Sequence, residues 1–313
     1  MKKGILWTVL AIAVVIVAVV LTVLLIDGQK DKQIGSQVVF SATIDEISEV
    51  KWNYNTEKLS FTNGEEGWYY TADKDFPLDV SLLEERLEEL EEIISYNTIQ
   101  NPRDPASYGL DDPICTIEVT ANGVTSKVMI GDQSVAGSIY YLSTGDEKVH
   151  MVDGSLFEAF YCGLYDLIAL EESPNLNNIW GIKVEGYYSM DLSCVWDDAG
   201  VRWHANVDGE KLALDFAKTE EFVANLQKIK LESCVCYNAE GDLLTQYGLG
   251  EKAVKVTVIR DQNDPEKTVV LELGYSLEEG TYIRLEGSKM IYMVDSRVCN
   301  VLRATEYTSL LQA

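Results

Sequence analysis

Histidine occurs only twice in this 313-residue chain, at His150 and His204. Neither stands in an HExxH or comparable ligand spacing, so both are read as structural or surface residues. Equally missing are a G-x-S-x-G nucleophile elbow, a P-loop and the D-x-[DN]-x-[DN]-G calcium loop, the patterns that carry acyl transfer, phosphate binding and EF-hand coordination. No catalytic, cofactor-binding or metal-binding residue is assigned, no cofactor is implied, and the chain is not expected to be an enzyme. Basic residues are also scarce, 25 Lys+Arg against 51 Asp+Glu, for a formal net charge of −26. A nucleic-acid partner is excluded, because binding a phosphate backbone needs clustered Lys and Arg.

Charge and proline are both absent from Ile5 to Ile26. Twenty-two residues at ~1.5 Å each make a helix of about 33 Å, enough for a hydrocarbon core of ~30 Å. A secretory signal would have a shorter apolar stretch and a small-x-small cleavage site, and Leu24-Leu25-Ile26-Asp27 offers none. No cysteine precedes Cys115, which removes a lipid-modified cysteine behind the apolar run. An uncleaved anchor in the lipid bilayer is therefore expected over 5–26. Lys2 and Lys3 precede it, so the positive-inside rule puts the tip 1–4 in the cytoplasm and the rest outside, as a single-pass protein of the cell membrane. The exported part holds 23 basic and 51 acidic residues, a formal charge of −28. Anionic headgroups would repel it, and the domain should stand off the bilayer.

Six cysteines, Cys115, Cys162, Cys194, Cys234, Cys236 and Cys299, invite a disulfide reading. Buried thiols are favoured, because a chain this long buries full cores without staples and because Cys234 and Cys236 share one face of a strand, where a bridge would be strained. Seventeen tyrosines and six tryptophans include Trp68-Tyr69-Tyr70, Tyr140-Tyr141 and Tyr187-Tyr188. Adjacent aromatics on a strand face opposite sides, so one of each pair is available for a binding surface and the other for the core.

What the sequence does contain is a duplication. Tyr108-Gly109-Leu110 returns as Tyr247-Gly248-Leu249, and each is followed by an alternating strand. Trp68 answers to Trp203, Leu78-Asp79 to Leu214-Asp215, Leu90 and Ile93 to Leu226 and Ile229, Gly131 to Gly274, Tyr140 to Tyr282, and Val152-Asp153 to Val294-Asp295. Cys115 matches Val254 and Cys299 matches Phe157, positions that accept apolar residues in the other copy. A period this long describes a duplicated domain, not a solenoid unit.

Each copy reads as strands, a helix and more strands. Strand-like runs lie around Val50 to Tyr54, Lys58 to Phe61 and Trp68 to Thr71. A helix capped by Asp79 or Ser81 follows, with Leu83, Leu87, Leu90 and Ile94 as its apolar stripe and six glutamates on its wet side. Asn122-Gly123 is a hairpin signal between Ile114–Thr120 and Val124–Ile130. Asp153 or Ser155 caps a second helix, and in the other copy a helix runs from Asp215 to about Lys230. The expected fold is α+β: an N-terminal transmembrane helix, then two tandem homologous domains, each with helices packed on a mostly antiparallel sheet. The boundaries are a stalk over 27–41, a first repeat over 42–170, a linker over 171–179 containing Pro174, and a second repeat over 180–313.

Gly248-Leu249-Gly250-Glu251-Lys252-Ala253 matches G-x-G-x-x-A, but a period-two strand follows where a dinucleotide site needs a helix. Both YGL segments read instead as tight turns into a strand, with glycine supplying the backbone shape. Asp197-Asp198-Ala199-Gly200 reads as an ordinary hairpin turn and not a calcium loop.

The N-terminal anchor, the Trp68 hairpin, the acidic amphipathic helix and Tyr108-Gly109-Leu110-Asp111-Asp112-Pro113 leading to Ile130-Gly131-Asp132 together resemble the family Domain of Unknown Function 4340. The second copy departs from the pattern, with Gly250-Glu251-Lys252 in place of Asp111-Asp112-Pro113. The resemblance implies a bacterial membrane-anchored extracytoplasmic accessory or interaction module with a membrane-protein partner, associated with ABC-type transport, and transfers no catalytic residue. The alternative is a cell-envelope glycan-binding protein or a surface hydrolase.

Overall fold

The computed structural model describes residues 36–54, 56–135, 137–198, 200–261 and 267–312. The expected cytoplasmic tip, the apolar run 5–26 and stalk residues 27–35 lie outside the described residues. Among the described residues, no helix is long and apolar enough to cross a membrane. The chain divides after Leu167 into two compact units.

The first unit is a nine-stranded antiparallel sheet. Its strands are β1 (Gln37–Phe40), β2 (Ile47–Tyr54), β3 (Glu57–Gly64), β4 (Gly67–Tyr70), β5 (Ile93–Ile99), β6 (Cys115–Ala121), β7 (Val124–Gln133), β8 (Ile139–Ser143) and β9 (Val149–Asp153), with helices α1 (Val80–Glu88) and α2 (Ser155–Phe160). They lie in the order β1-β5-β9-β8-β7-β6-β2-β3-β4. Period-two patterning builds it, since residues alternate between faces. Val50, Trp52, Leu59, Phe61, Ile117, Val119, Val128 and Ile130 bury one face against Leu83 and Leu87 of α1 and Leu156 and Phe160 of α2. Trp52 stacks on Phe61 with ring centroids 5.1 Å apart, and its indole N–H donates to the Cys162 carbonyl at 3.2 Å, so burial leaves no donor unpaired. Asn122 and Gly123 both take positive φ and join β6 to β7 as a two-residue hairpin, the backbone that Asn-Gly favours.

The second unit repeats the plan with β10 (Gly181–Glu185), β11 (Met190–Asp197), β12 (Gly200–Val207), β13 (Glu210–Ala213), α3 (Phe216–Leu226), β14 (Cys234–Cys236), α4 (Asp242–Gln246), β15 (Val254–Ile259), β16 (Thr268–Ser276), β17 (Thr281–Leu285), β18 (Ile291–Val294) and α5 (Ser296–Ala304). Its order is β13-β12-β11-β10-β15-β16-β17-β18-β14. Apart from the extra edge strands β1 and β13, the two sheets have one topology, with β14, β18, β17, β16, β15, β10, β11 and β12 standing where β5, β9, β8, β7, β6, β2, β3 and β4 stand. Asp79 and Asp215 cap α1 and α3 in the same way, accepting from backbone N–H groups of the first turn.

Three expectations need correction. The architecture is mostly β, two antiparallel sheets with few and short helices, because the strand content outweighs the helices expected to pack on it. The helical stripe through Leu90 and Ile94 stops early: α1 ends at Glu88, and Ile94 lies on β5, which fills the gap between β1 and β9. Leu90 is buried, as helical spacing predicts, but from the turn that follows α1. Finally, Tyr282 answers to Tyr141 and not Tyr140. Tyr141 and Tyr282 pair with Met151 and Met293 in the same register, and each packs edge-on against the tyrosine of its YGL segment, at 5.0 and 4.7 Å. The expected linker is anchored on the second unit: the Leu176 carbonyl accepts from Gln227, the Ser173 hydroxyl from the Leu231 N–H, and Glu171 from the Tyr292 hydroxyl.

Candidate functional site

The YGL segments are packing devices. Gly109 and Gly248 take φ of +67° and +71°, a left-handed shape that only glycine adopts without strain. Each presses its backbone onto a second glycine on the neighbouring strand, Gly131 or Gly274, where any Cβ would overlap the carbonyl oxygen of Tyr108 or Tyr247. No phosphate-binding helix N-terminus forms there, as the strand reading requires: a single 3-10 turn over Gly250–Lys252 leads into β15.

Two concavities open on the sheet faces turned away from the core, at homologous places. In the first unit, Lys51 lies directly opposite Ser60 in an open depression of about 570 Å³ that also takes in Asn53, Lys58, Thr116 and Lys127. In the second, Lys183 lies directly opposite Asp191 in one of about 510 Å³, with Asn206 beside them. The strand registers make Lys51 equivalent to Lys183, Ser60 to Asp191, Thr62 to Ser193 and Thr71 to Asn206. The hydrogen bonds are equivalent too. Ser60 donates to Thr71 at 3.1 Å and Thr71 meets Thr62 at 2.9 Å; Asn206 donates to Asp191 at 2.8 Å and accepts from Ser193 at 3.2 Å. Each copy thus holds a lysine beside a three-residue bridge of polar side chains that spans two strands. The bridges fix donors and acceptors on a solvent-open surface.

The two lysines differ in their charge partners. Lys183 pairs with Asp191 at 3.2 Å, whereas Lys51 pairs with Glu49 at 2.7 Å on its own strand. Lys58 and Lys127 make no ion pair with a described residue. The correspondence is hidden in the sequence because the bridging residues flank the tryptophan pair on both sides and change type at every position. The one surviving signal is the parallel between Val50-Lys51-Trp52 and Ile182-Lys183-Val184.

The histidines and cysteines are dispersed. His150 is buried, with Nδ1 3.1 Å from the Thr98 hydroxyl and Nε2 3.1 Å from Asp146. Burial works against the ionised Asp146, but hydrogen bonds from His150 and Lys148 together hold its pKa below the usual value. In the second copy the same two strand positions hold Tyr292 and Cys234, so this polar pair is not a shared site. His204 lies on β12 with a buried Nδ1 that has no hydrogen-bond partner among the described residues; burial, followed by Lys211 and Arg202, lowers its pKa. All six cysteines are free and buried. Trp68 and Trp203 are core residues, while Tyr187 is 89% exposed. Among the described residues, no group of three or more His, Cys, Asp or Glu could hold a metal ion.

The family model described as Domain of unknown function (DUF4340) matches residues 68–169 and again 203–307. Each match begins at the tryptophan of β4 or β12 and ends at or beyond the helix that closes each sheet, so it covers one copy of the shared plan at a time. Comparison with curated proteins and with solved structures found no match. With most of its length matched in two successive copies, the chain belongs to the DUF4340 family.

Proposed function

We propose that the chain is a single-pass membrane protein whose residues 5–26 form a transmembrane helix, and that its two extracytoplasmic domains form an interaction or accessory module serving an ABC-type transport system. The observation that carries the interaction reading is the recurrence of one polar, solvent-open surface, Lys51 with its bridge and Lys183 with its bridge, on both sheets. Scaffold duplication alone needs only turns, caps and core positions to be kept. A recurring network on the solvent-open face turned away from the core is explained by something that binds there. The transport association rests on the family resemblance, and the anchor on the uncharged run of 22 residues.

The test is affinity recovery of the full-length protein from native membranes in mild detergent. Recovery of permease or ATPase components, diminished at least several-fold by Lys51→Ala with Lys183→Ala, supports the proposal. Recovery of neither component rejects the transport association, and equal recovery by the variant rejects these surfaces. Binding of a cell-envelope glycan is the second reading, favoured by the hydroxyl and amide character of the bridges. Calorimetric titration with soluble envelope glycan fragments separates the two.

A further inference from the structure

The two copies carry opposite chemistry at one pair of exposed positions. After the capped helix, buried and exposed residues alternate identically in both: Ile93 and Ile229 are buried, Ile94 and Lys230 exposed, Ser95 and Leu231 buried, Tyr96 and Glu232 exposed. The second copy thus places two charged residues in water, in the segment that leads into β14. The first places isoleucine and tyrosine there, 40% and 50% exposed, and sets Val38 of the added strand β1, 49% exposed, directly across from Ile94. Val38 and Ile94 share one outward face at the sheet edge, and Tyr96 is exposed beside them at the irregularity between Ser95 and Asn97.

Strand β1 is also where the chain enters the fold. Gln37 pairs with Ser95 and its amide donates to Thr98 at 3.1 Å, so the sheet is joined beside Tyr96. Ten residues, 27–36, separate this point from the end of the apolar run at Ile26. Ten residues span at most about 34 Å. With residues 5–26 in the bilayer, the tether joins the first unit at β1, beside Val38, Ile94 and Tyr96.

We infer that this face rests in the headgroup region of the outer membrane surface, with Tyr96 at the interface and Val38 and Ile94 against the acyl boundary. Tyrosine is enriched at that depth because its ring is apolar and its hydroxyl wet. Three side chains bind lipid only weakly in free solution, but a short tether makes the contact intramolecular, at an effective concentration in the millimolar range. Glu89, Glu92 and Asp153 line a depression with Ile94 and Tyr96, so the surface suited to it is zwitterionic, and anionic lipid loosens the contact. The inference rests on the anchor proposed for residues 5–26 and replaces the expectation that the domain stands off every bilayer.

The experiment uses the purified full-length protein in phosphatidylcholine nanodiscs, with a nitroxide label on Tyr96→Cys or, as a control, on Val124→Cys at the tip of the β6–β7 hairpin. Power saturation is expected to show collision with a water-soluble nickel chelate several-fold lower at position 96 than at 124, and higher collision with oxygen. A label on Val38→Cys should behave like position 96, and should become water-accessible when Ile94→Lys and Tyr96→Glu are introduced together. Those are residues of the kind the second copy already carries at exposed positions, so folding is preserved. Equal nickel access at 96 and 124 in a protein that resists carbonate extraction overturns the inference alone. Release by carbonate overturns the anchor beneath it. Protection seen only in native membranes and not in pure lipid overturns the lipid contact in favour of a protein partner.

Discussion

Gly131 stands against the carbonyl oxygen of Tyr108 with no room for a Cβ, and Gly274 repeats the relation against Tyr247. This contact explains why a Tyr-Gly-Leu segment and a glycine some twenty residues later recur together. The left-handed glycine turns the chain, and the strand glycine lets the two backbones touch. In the second copy the contact is closed by the Tyr275 N–H donating to the Tyr247 carbonyl at 2.8 Å.

Gly131→Ala and Gly274→Ala should each destabilise their unit by roughly 2–4 kcal/mol, because backbone and not a flexible side chain must move. Urea unfolding of the single variants measures this. A loss below about 0.5 kcal/mol would show that the turn yields freely.

Arg284 and Glu272 form a buried ion pair at 2.7 Å, with side chains 10% and 3% exposed, on strands directly paired in register. Arg284→Met leaves the buried Glu272 carboxylate with only the Gly250 N–H at 3.2 Å and Lys255 at 3.8 Å and should cost about 3 kcal/mol, the low end for breaking a buried pair. Glu272→Met added to Arg284→Met should recover at least half of that, since the first copy places the apolar Met129 at the position of Glu272. Calorimetric melting of the three proteins decides it, and a double variant no better than the single one refutes the cause.

Because burial depresses the His204 pKa, the unfolded chain takes up this proton more readily than the folded one. The stability it supports is complete above its unfolded pKa of about 6.5 and declines as the pH falls below that value. Between pH 7 and pH 5 the wild-type Tm should fall more steeply than that of His204→Gln. Parallel slopes would remove His204 from the acid response.

Burial pushes the Cys115 thiol up to about 12 and those of Cys194, Cys234 and Cys299 up to about 11. A thiol held protonated and out of contact with solvent does not react. Ellman's reagent should find no reactive thiol in the native protein and six after unfolding without reductant. Four after unfolding would reveal a disulfide.

A good deal of this was legible in the residues themselves. The duplication, the Asn122-Gly123 hairpin, the Asp79 and Asp215 caps and the apolar character of the cysteine sites all depend on interactions within a few residues, or on identities that survive in both copies. The α1 boundary was not, because Leu90 and Ile94 keep helical spacing while only the gap between β1 and β9 draws Ile93–Ile99 into a strand. The polar surfaces around Lys51 and Lys183 were also hidden. Their bridges join residues nine to fifteen positions apart across strands, and Ser60-Thr71-Thr62 matches Asp191-Asn206-Ser193 in residue type at no position.

By itself, then, the sequence determined that one domain plan occurs twice, where its turns and caps fall, and which family it belongs to, since local backbone preference and alternation are properties of short segments. Only the tertiary structure decided strand order and face. It brought two unlike triads into the same position, and it turned Ile94 and Tyr96 outward where Lys230 and Glu232 face water. Which side of a sheet is buried depends on what the rest of the chain packs against it, and no short segment carries that information.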